Sequence, residues 1–518
     1  MFHLKKNNLG NSIIKSTLFI SIFTIFSKVL GLVKQVVISS IGGASLETDA
    51  YSISTGIFGQ IVTLIFSAVS VSALTLYVEI KEKKGKTEAS NFIKTLLMTL
   101  VPFSIILAII VFLLSDQFAT FLASSNDLNY IRLLSKYIKI MSISFVPWGI
   151  YLTLNIILES EKKFIPGRCQ AFFQNIFIIL ACLFFYKKIG AVSLVIAFVL
   201  SGIVECVYII SRTHNEIRNA SISTAELFNI KKMVIIAIPL IIGNASSELN
   251  DIVDKKIASS IGEGVPTLLN YSATLNEIIT GVVISSLSVV LFTHFADMIA
   301  KNDIQKVEHT LKKTILYLLI FLLPITIIFL VYGDTIVRIM FGHGAITEDN
   351  INSIYMILIG YSVGFIFQAI RIIYAKAIYA FKDTKAPMLN GFISICVNIF
   401  LSYYLASKIG VMGISLSTSL SMLLASVLLH KSLKKYLPNL SYSSEKVDII
   451  KIVFASVICL GVAVLFKYFY LGKNIVMPII FSMLCLLIYI IMLNILKIKL
   501  IDEIKLKIIT LCNTRKNK

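Results

Sequence analysis

The stretch SKVLGLVKQ (residues 27–35) places two lysines, Lys28 and Lys34, inside a run otherwise apolar enough to cross a bilayer. A charge at the centre of such a helix costs about 2.5–3.5 kcal/mol on insertion scales, so it faces water, a partner or an anion. Further along, SSELNDIVDKK carries Glu248, Asp251 and Asp254 at successive steps of three. Each step turns an α-helix by about 300°, so the three carboxylates drift across an arc of about 120° on one face. Lys255 and Lys256 follow and offset part of that charge. Arg371, in a third apolar run, is another cation where leucine would have sufficed. Ammonium and guanidinium groups bind phosphate-like anions; clustered carboxylates bind cations or pair with the lysines.

Hydrolytic and redox chemistry have no comparable support. Cys169, Cys182, Cys206, Cys396, Cys459, Cys485 and Cys512 are scattered without a CxxC pair, which argues against a disulfide framework or a metal cluster. Gly85-Lys86-Thr87 resembles the end of a phosphate-binding loop, but position 80 is not glycine and no strand precedes it. The sequence therefore predicts no catalytic residue, no metal and no cofactor. Nucleic acid is not an expected partner, since no basic patch interleaved with aromatics lies outside the apolar runs.

The elements that must position these charges are membrane helices. At 518 residues and 57% hydrophobic, with a mean hydropathy of +0.87, the chain is far too apolar for a soluble protein of its length. A span needs about 20 mostly apolar residues. Fourteen are predicted, at 12–41, 49–79, 90–114, 131–158, 165–186, 189–211, 233–261, 266–298, 311–332, 351–380, 386–407, 409–429, 447–471 and 475–497. Pro102, Pro147, Pro239 and Pro324 fall within spans and are expected bending points. Starting with Lys5 and Lys6 inside, every even-numbered connection is basic, as in KEKKGK and ESEKKFIPGR. The odd-numbered ones, such as GGASLETD, SDQFATFLASSND and GEGVP, are acidic, neutral or weakly basic. Because lysine and arginine accumulate in cytoplasmic loops, both termini are expected in the cytoplasm, and the net charge of +20 mostly on the inner face.

An internal repeat organises the spans. ISSIGGASLETDAYSIS (38–54) aligns with ASSIGEGVPTLLNYSAT (258–274), matching Ser39 to Ser259, Gly42 to Gly262 and Tyr51 to Tyr271. KKIGAVSLV (187–195) aligns with SKIGVMGIS (407–415) at the same offset. The expected fold is an all-α polytopic membrane protein: two six-helix lobes in parallel repeat, plus two C-terminal helices. The predicted divisions are 1–218, 219–438, and 439–518 with a basic cytoplasmic tail. In such transporters the substrate site is expected near the midplane between the halves. The alignment pairs Lys28 with Glu248 and Lys34 with Asp254, so the first copy is basic where the second is acidic.

FSKVLGLVKQVVISSIGGASLETDAYSIS resembles the opening signature of the MurJ (MviN) lipid II flippases, within the multidrug/oligosaccharidyl-lipid/polysaccharide (MOP) exporter superfamily. IMFGHGAIT (339–347) and YAFKDTKAPMLNGFISICVNIF (379–400) resemble later motifs of that family. The resemblance implies a cationic central cavity, a groove for a lipid tail formed with the last two helices, and location in the cytoplasmic membrane. It implies export of an undecaprenyl-diphosphate-linked cell-wall precursor, lipid II above all, by alternating access without ATP. Membrane potential or a cation gradient is the implied drive; membrane lipids and the cell-wall synthesis machinery are the implied partners.

Carried over by position, Lys28 and Lys34 match two arginines of the family's first helix, and Asp49 matches an aspartate at the start of its second. Glu277 matches a glutamate of the eighth. Lys28, Lys34 and Asp49, together with Arg371 as a cation within an apolar run that could line the same cavity, are the expected substrate-binding residues. Glu248, Asp251, Asp254 and Glu277 are the expected coupling or ion-pair residues. The family's remaining cavity arginines fall near Val62 and on Thr274. That departure leaves another lipid-linked saccharide open as cargo, and the acidic helix leaves a cation-coupled drug exporter as the further alternative.

Overall fold

The computed structural model describes residue 23 and residues 26–123, 127–223, 226–470, 476–498 and 500. The beginning of the first predicted span and the basic tail lie outside the described residues. Helices occupy every predicted span, and no strand occurs among the described residues. Among the described residues, eleven helical stretches are long and apolar enough to cross a membrane, two of them, Leu46–Lys84 and Leu128–Ser160, made of consecutive helices. With no water in hydrocarbon to satisfy backbone polar groups, helices are the form these runs can take.

In chain order the helices are α1 (26–42), α2 Leu46–Ile61, α3 Ala68–Lys84, α4 Lys86–Leu113, α5 Ser115–Leu122, α6 Leu128–Ser142 and α7 Phe145–Ser160. There follow α8 Ile165–Phe184, α9 Tyr186–Ile189, α10 Val192–Arg218, α11 Glu226–Ile261, α12 Val265–Ile279 and α13 Ser285–Ala300. The remainder are α14 Ile304–Phe341, α15 Glu348–Ala380, α16 Lys385–Ile409, α17 Val411–Leu433, α18 Lys446–Phe469 and α19 Val476–Ile495.

Three features differ from the sequence expectation. The fourth span is two helices, α6 and α7, and Pro147 lies in the first turn of α7 rather than at a mid-helix bend. Proline is tolerated there because a first-turn N–H has no intrahelical acceptor to lose. Pro102, Pro239 and Pro324 do lie inside α4, α11 and α14. The connection SDQFATFLASSND contains a helix, α5. Finally, the second and eighth spans each carry a π-helical turn, Val62–Ser67 and Thr280–Ile284, at equivalent positions of the repeat. Such turns insert a residue into the α-helical ladder and often mark functional positions.

The contacts divide the chain into two units: residues 1–271 with 343–347, and residues 272–342 with 348–518. In the first, Phe58 of α2 packs against Phe145 at 4.8 Å, Trp148 at 5.7 Å and Phe198 at 5.1 Å between ring centroids. Each such pair contributes roughly 0.5–1.5 kcal/mol beyond its area, and together they join α2, α7 and α10. In the second, Gly360 and Gly364 on α15 lie against Ser415 and Ser419 on α17. Ser419 Oγ donates to the Gly360 carbonyl at 2.5 Å, the close small-residue packing that substitutes for hydrophobic drive in lipid. The C-terminal pair is anchored through α18: Tyr332 donates to Ala463 O at 3.0 Å, and Lys467 reaches Asp334 at 3.0 Å.

Candidate functional site

At one end of the first unit four connections interlock: those between α1 and α2, α9 and α10, α11 and α12, and α14 and α15. Ser45 and Thr48 form a capping box that starts α2: the Ser45 N–H donates to Thr48 Oγ1 at 2.9 Å, and Thr48 N–H donates to Ser45 Oγ at 3.4 Å. That turn fixes Asp49, which is buried. Its carboxylate accepts Gly264 N–H at 2.6 Å, Thr267 N–H at 2.9 Å and Thr267 Oγ1–H at 2.6 Å. An anion receiving donors from the first turn of α12 is favoured by hydrogen bonds and helix dipole together.

The neighbouring contacts close around it. Tyr271 donates to Gly43 O at 3.1 Å, and Leu46 N–H donates to Glu263 Oε1 at 3.2 Å. Ala191 N–H donates to Glu47 Oε2 at 2.8 Å, and Ala345 N–H donates to Ser40 O at 2.9 Å. Gly43 and Gly264 have positive φ, +61° and +82°. A Cβ at Gly43 would meet the Ala345 carbonyl oxygen at 2.9 Å, and one at Gly264 would meet that of Ala44 at 3.0 Å. Glycine is required at both positions by backbone conformation and by close approach.

The acidic face of α11 is occupied from within. Lys255 extends over Gly56 of α2 and donates to Ser52 O at 3.5 Å. It interacts electrostatically with Asp251 and Glu248, one and two turns back on its own helix. Asp254 is buried and accepts from Asn250 Nδ2 at 3.2 Å. Lys256 turns away to the ring of Phe121, 3.7 Å from its centroid.

Lys28 and Lys34 are half-buried on α1. Among the described residues no carboxylate lies within ion-pair distance of Lys28, so Lys28 and Glu248 are not paired. In the second unit, Arg371 is half-buried on α15, and its Nε has no hydrogen-bond partner among the described residues. Lys376 lies 5.5 Å from the Phe292 ring centroid, and Glu277 is exposed on α12. The expected residues are therefore distributed: Lys28, Lys34, Asp49, Glu248, Asp251 and Asp254 belong to the first unit, Arg371 and Glu277 to the second. Among the described residues no group of three His, Cys, Asp or Glu side chains could hold a metal ion.

Sequence reasoning did not find the bond between Asp49 and the start of α12, though the repeat had already aligned the two loops. Nor did it assign Lys255 more than partial charge compensation.

Among the described residues, Lys28 and Arg371 stand on apolar helices without an ion-pair partner, and no catalytic constellation is assembled. The family model of the lipid II flippase MurJ matches residues 38–498. A curated relative from Treponema pallidum, described as a probable lipid II flippase MurJ, is 24% identical over 443 residues, covering 82% of each chain. A solved structure of lipid II flippase MurJ in an inward closed conformation superimposes with a TM-score of 0.81, at 24% identity over 93% of this chain and all of that one. An inward-facing multidrug resistance MATE transporter of the MOP superfamily aligns with a TM-score of 0.70, at 12% identity over 81% of this chain and 96% of its own. The fold is that of the multi-pass transporters of the MOP superfamily. Within it, the chain belongs to the lipid II flippase MurJ family.

Proposed function

We propose that this protein moves lipid II, the undecaprenyl-diphosphate-linked precursor of peptidoglycan, from the inner to the outer leaflet of the cytoplasmic membrane. The observation that carries the reading, beyond the family match, is Lys28: an ammonium on a membrane helix, half-buried, with no carboxylate in reach among the described residues. A diphosphate cannot cross about 30 Å of hydrocarbon unaided. Lys28 and Lys34 hold it as point charges while the polyprenyl chain stays in lipid, and Arg371 is the corresponding cation of the second unit.

The interlocked loops around Asp49 are a closed end of the first unit, and transport by alternating access requires them to part. Drive comes from membrane potential or a cation gradient, with Glu248, Asp251, Asp254 and Glu277 as the coupling carboxylates. Both termini lie in the cytoplasm, and the cell-wall synthesis machinery supplies and consumes the cargo.

The test is depletion in the host with a leaflet-accessibility assay for lipid II and chromatography of all undecaprenyl-linked intermediates. Lipid II accumulating on the inner face, unrelieved by a Lys28→Ala, Lys34→Ala variant, supports the proposal. Normal lipid II crossing with accumulation of a different polyprenyl-linked sugar overturns that cargo. Val62 and Thr274, where the family carries arginine, would then be the positions to examine.

A further inference from the structure

Glu205 lies near the middle of α10, some 13 residues from its start, and is 2% exposed. Its Oε1 has no hydrogen-bond partner, and among the described residues no lysine or arginine comes within ion-pair distance of it. The helices packed on α10 are α2, α4, α6, α7, α8 and α9. The titratable groups within electrostatic reach are Tyr151 of α7, Cys169 of α8 and the adjacent Cys206, none of them a cation. Arg168 and Arg212, the nearest arginines along α8 and α10, are exposed. A lone ionised carboxylate in such surroundings is prohibitively costly, whereas the protonated acid is tolerated.

A polar strip leads away from this carboxyl. Tyr151, Asn155 and Glu159 follow at steps of four along α7 and so share one face. Tyr151 interacts electrostatically with both Glu205 and Glu159, while its hydroxyl donates to Gly167 O at 2.7 Å. Asn155 Nδ2 donates to Glu159 Oε1 at 2.8 Å, while Asn155 Oδ1 is buried and unsatisfied. Burial falls along the strip: Tyr151 and Asn155 are 5% exposed, and Glu159 is half-buried beside the helix end.

From this arrangement we propose that Glu205 is a proton-binding site: it holds a proton in the present conformation and releases it to water when the first unit rearranges. Only the carboxyl O–H bond is broken and re-formed, with water as proton acceptor and donor. Proton occupancy of Glu205 thereby favours one conformation over the other. Coupling to flipping rests on the proposed transport function; the protonation itself does not.

The first measurement is therefore free of cargo: infrared difference spectra of the full-length protein in nanodiscs across a pH titration. A protonated-carboxyl stretching band present in wild type, absent in Glu205→Gln and restored, shifted, in Glu205→Asp supports the site. A band unchanged in Glu205→Gln overturns it. The second measurement follows flipping of fluorescent lipid II in proteoliposomes under an imposed pH gradient. If wild type flips, Glu205→Gln is expected to lose at least about tenfold of the gradient response, and Glu205→Asp to retain it. A full response in folded Glu205→Gln overturns the coupling. A wild type that flips no lipid II under any condition overturns the cargo assignment instead, and leaves the infrared result standing.

Discussion

Asp49 and Thr267 are 218 residues apart in sequence, yet the Asp49 carboxylate receives both the backbone N–H and the hydroxyl of Thr267, at 2.9 and 2.6 Å. One side chain thus caps a helix that belongs to the other copy of the repeat. Removing a capping acceptor costs about 0.5–2 kcal/mol, so Asp49→Ala is expected to lower the thermal stability of the first unit by that order. Asp49→Asn, which keeps one acceptor oxygen, is expected to lose less. Hydrogen exchange at Gly264 and Thr267 checks the local cause: their amides should lose protection in the alanine variant before those of α7 or α10 do.

Lys255 and Gly56 form a second relationship across helices. The ammonium lies where a Cβ at residue 56 would stand, so Gly56→Ala must push it away from Ser52 O and alter its relation to Asp251. Each of Gly56→Ala and Lys255→Gln is expected to destabilise by roughly 1–3 kcal/mol. Together they should cost clearly less than the sum, because both remove the same seated ammonium. Strict additivity in a double-mutant cycle of thermal unfolding would show that the two residues are not coupled.

The membrane frame was legible because hydrocarbon permits so little: a run of about 20 apolar residues has to be helical wherever it crosses. Lys28, Lys34 and Arg371 stood out for the same reason, as charges in places where charge is expensive. The Asp49–Thr267 bond was not legible, since nothing in the local pattern of LETDAYS distinguishes an aspartate capping its own helix from one capping another. The π-helical turns at Val62–Ser67 and Thr280–Ile284 leave the apolar pattern intact, so hydropathy does not report them. Glu205 is inconspicuous in the sequence because a single acid among many apolar residues gains meaning only where, among the described residues, no cation stands within ion-pair distance.

At the opposite end of the first unit, Glu161 accepts from Lys86 at 2.9 Å and Lys163 at 2.8 Å. Hydrogen bonds from Lys163, then Lys86, hold its carboxyl down from its ordinary 4.5 to about 2. A depressed folded-state value stabilises the fold at pH values above the unfolded one, and the benefit disappears as pH falls through the folded one. Stability should therefore be flat from neutrality to about pH 4.5 as far as this group is concerned, then decline toward pH 2. Glu161→Gln is expected to flatten that part of the acid limb of a thermal-unfolding profile. An identical acid limb in both proteins would assign the decline to other carboxylates.

The lysines of α1 discriminate between a mere charge burden and a transporting role through flipping, since stability rises or holds in both readings. If Lys28 and Lys34 only burdened the helix with charge, replacing them by glutamine would relieve up to about 2.5–3.5 kcal/mol each at the bilayer centre and leave flipping unchanged. If they hold a diphosphate, the same variants gain or keep stability while flipping falls, by roughly tenfold for each 1.4 kcal/mol of phosphate interaction removed. Arginine at either position restores charge and adds a planar fork suited to phosphate. Lys28→Arg is thus expected to retain flipping where Lys28→Gln does not, measured with fluorescent lipid II in proteoliposomes. Equal loss in both variants would mean that the site needs the compact ammonium of lysine and not merely its charge. Equal activity in both would remove Lys28 from the transport path.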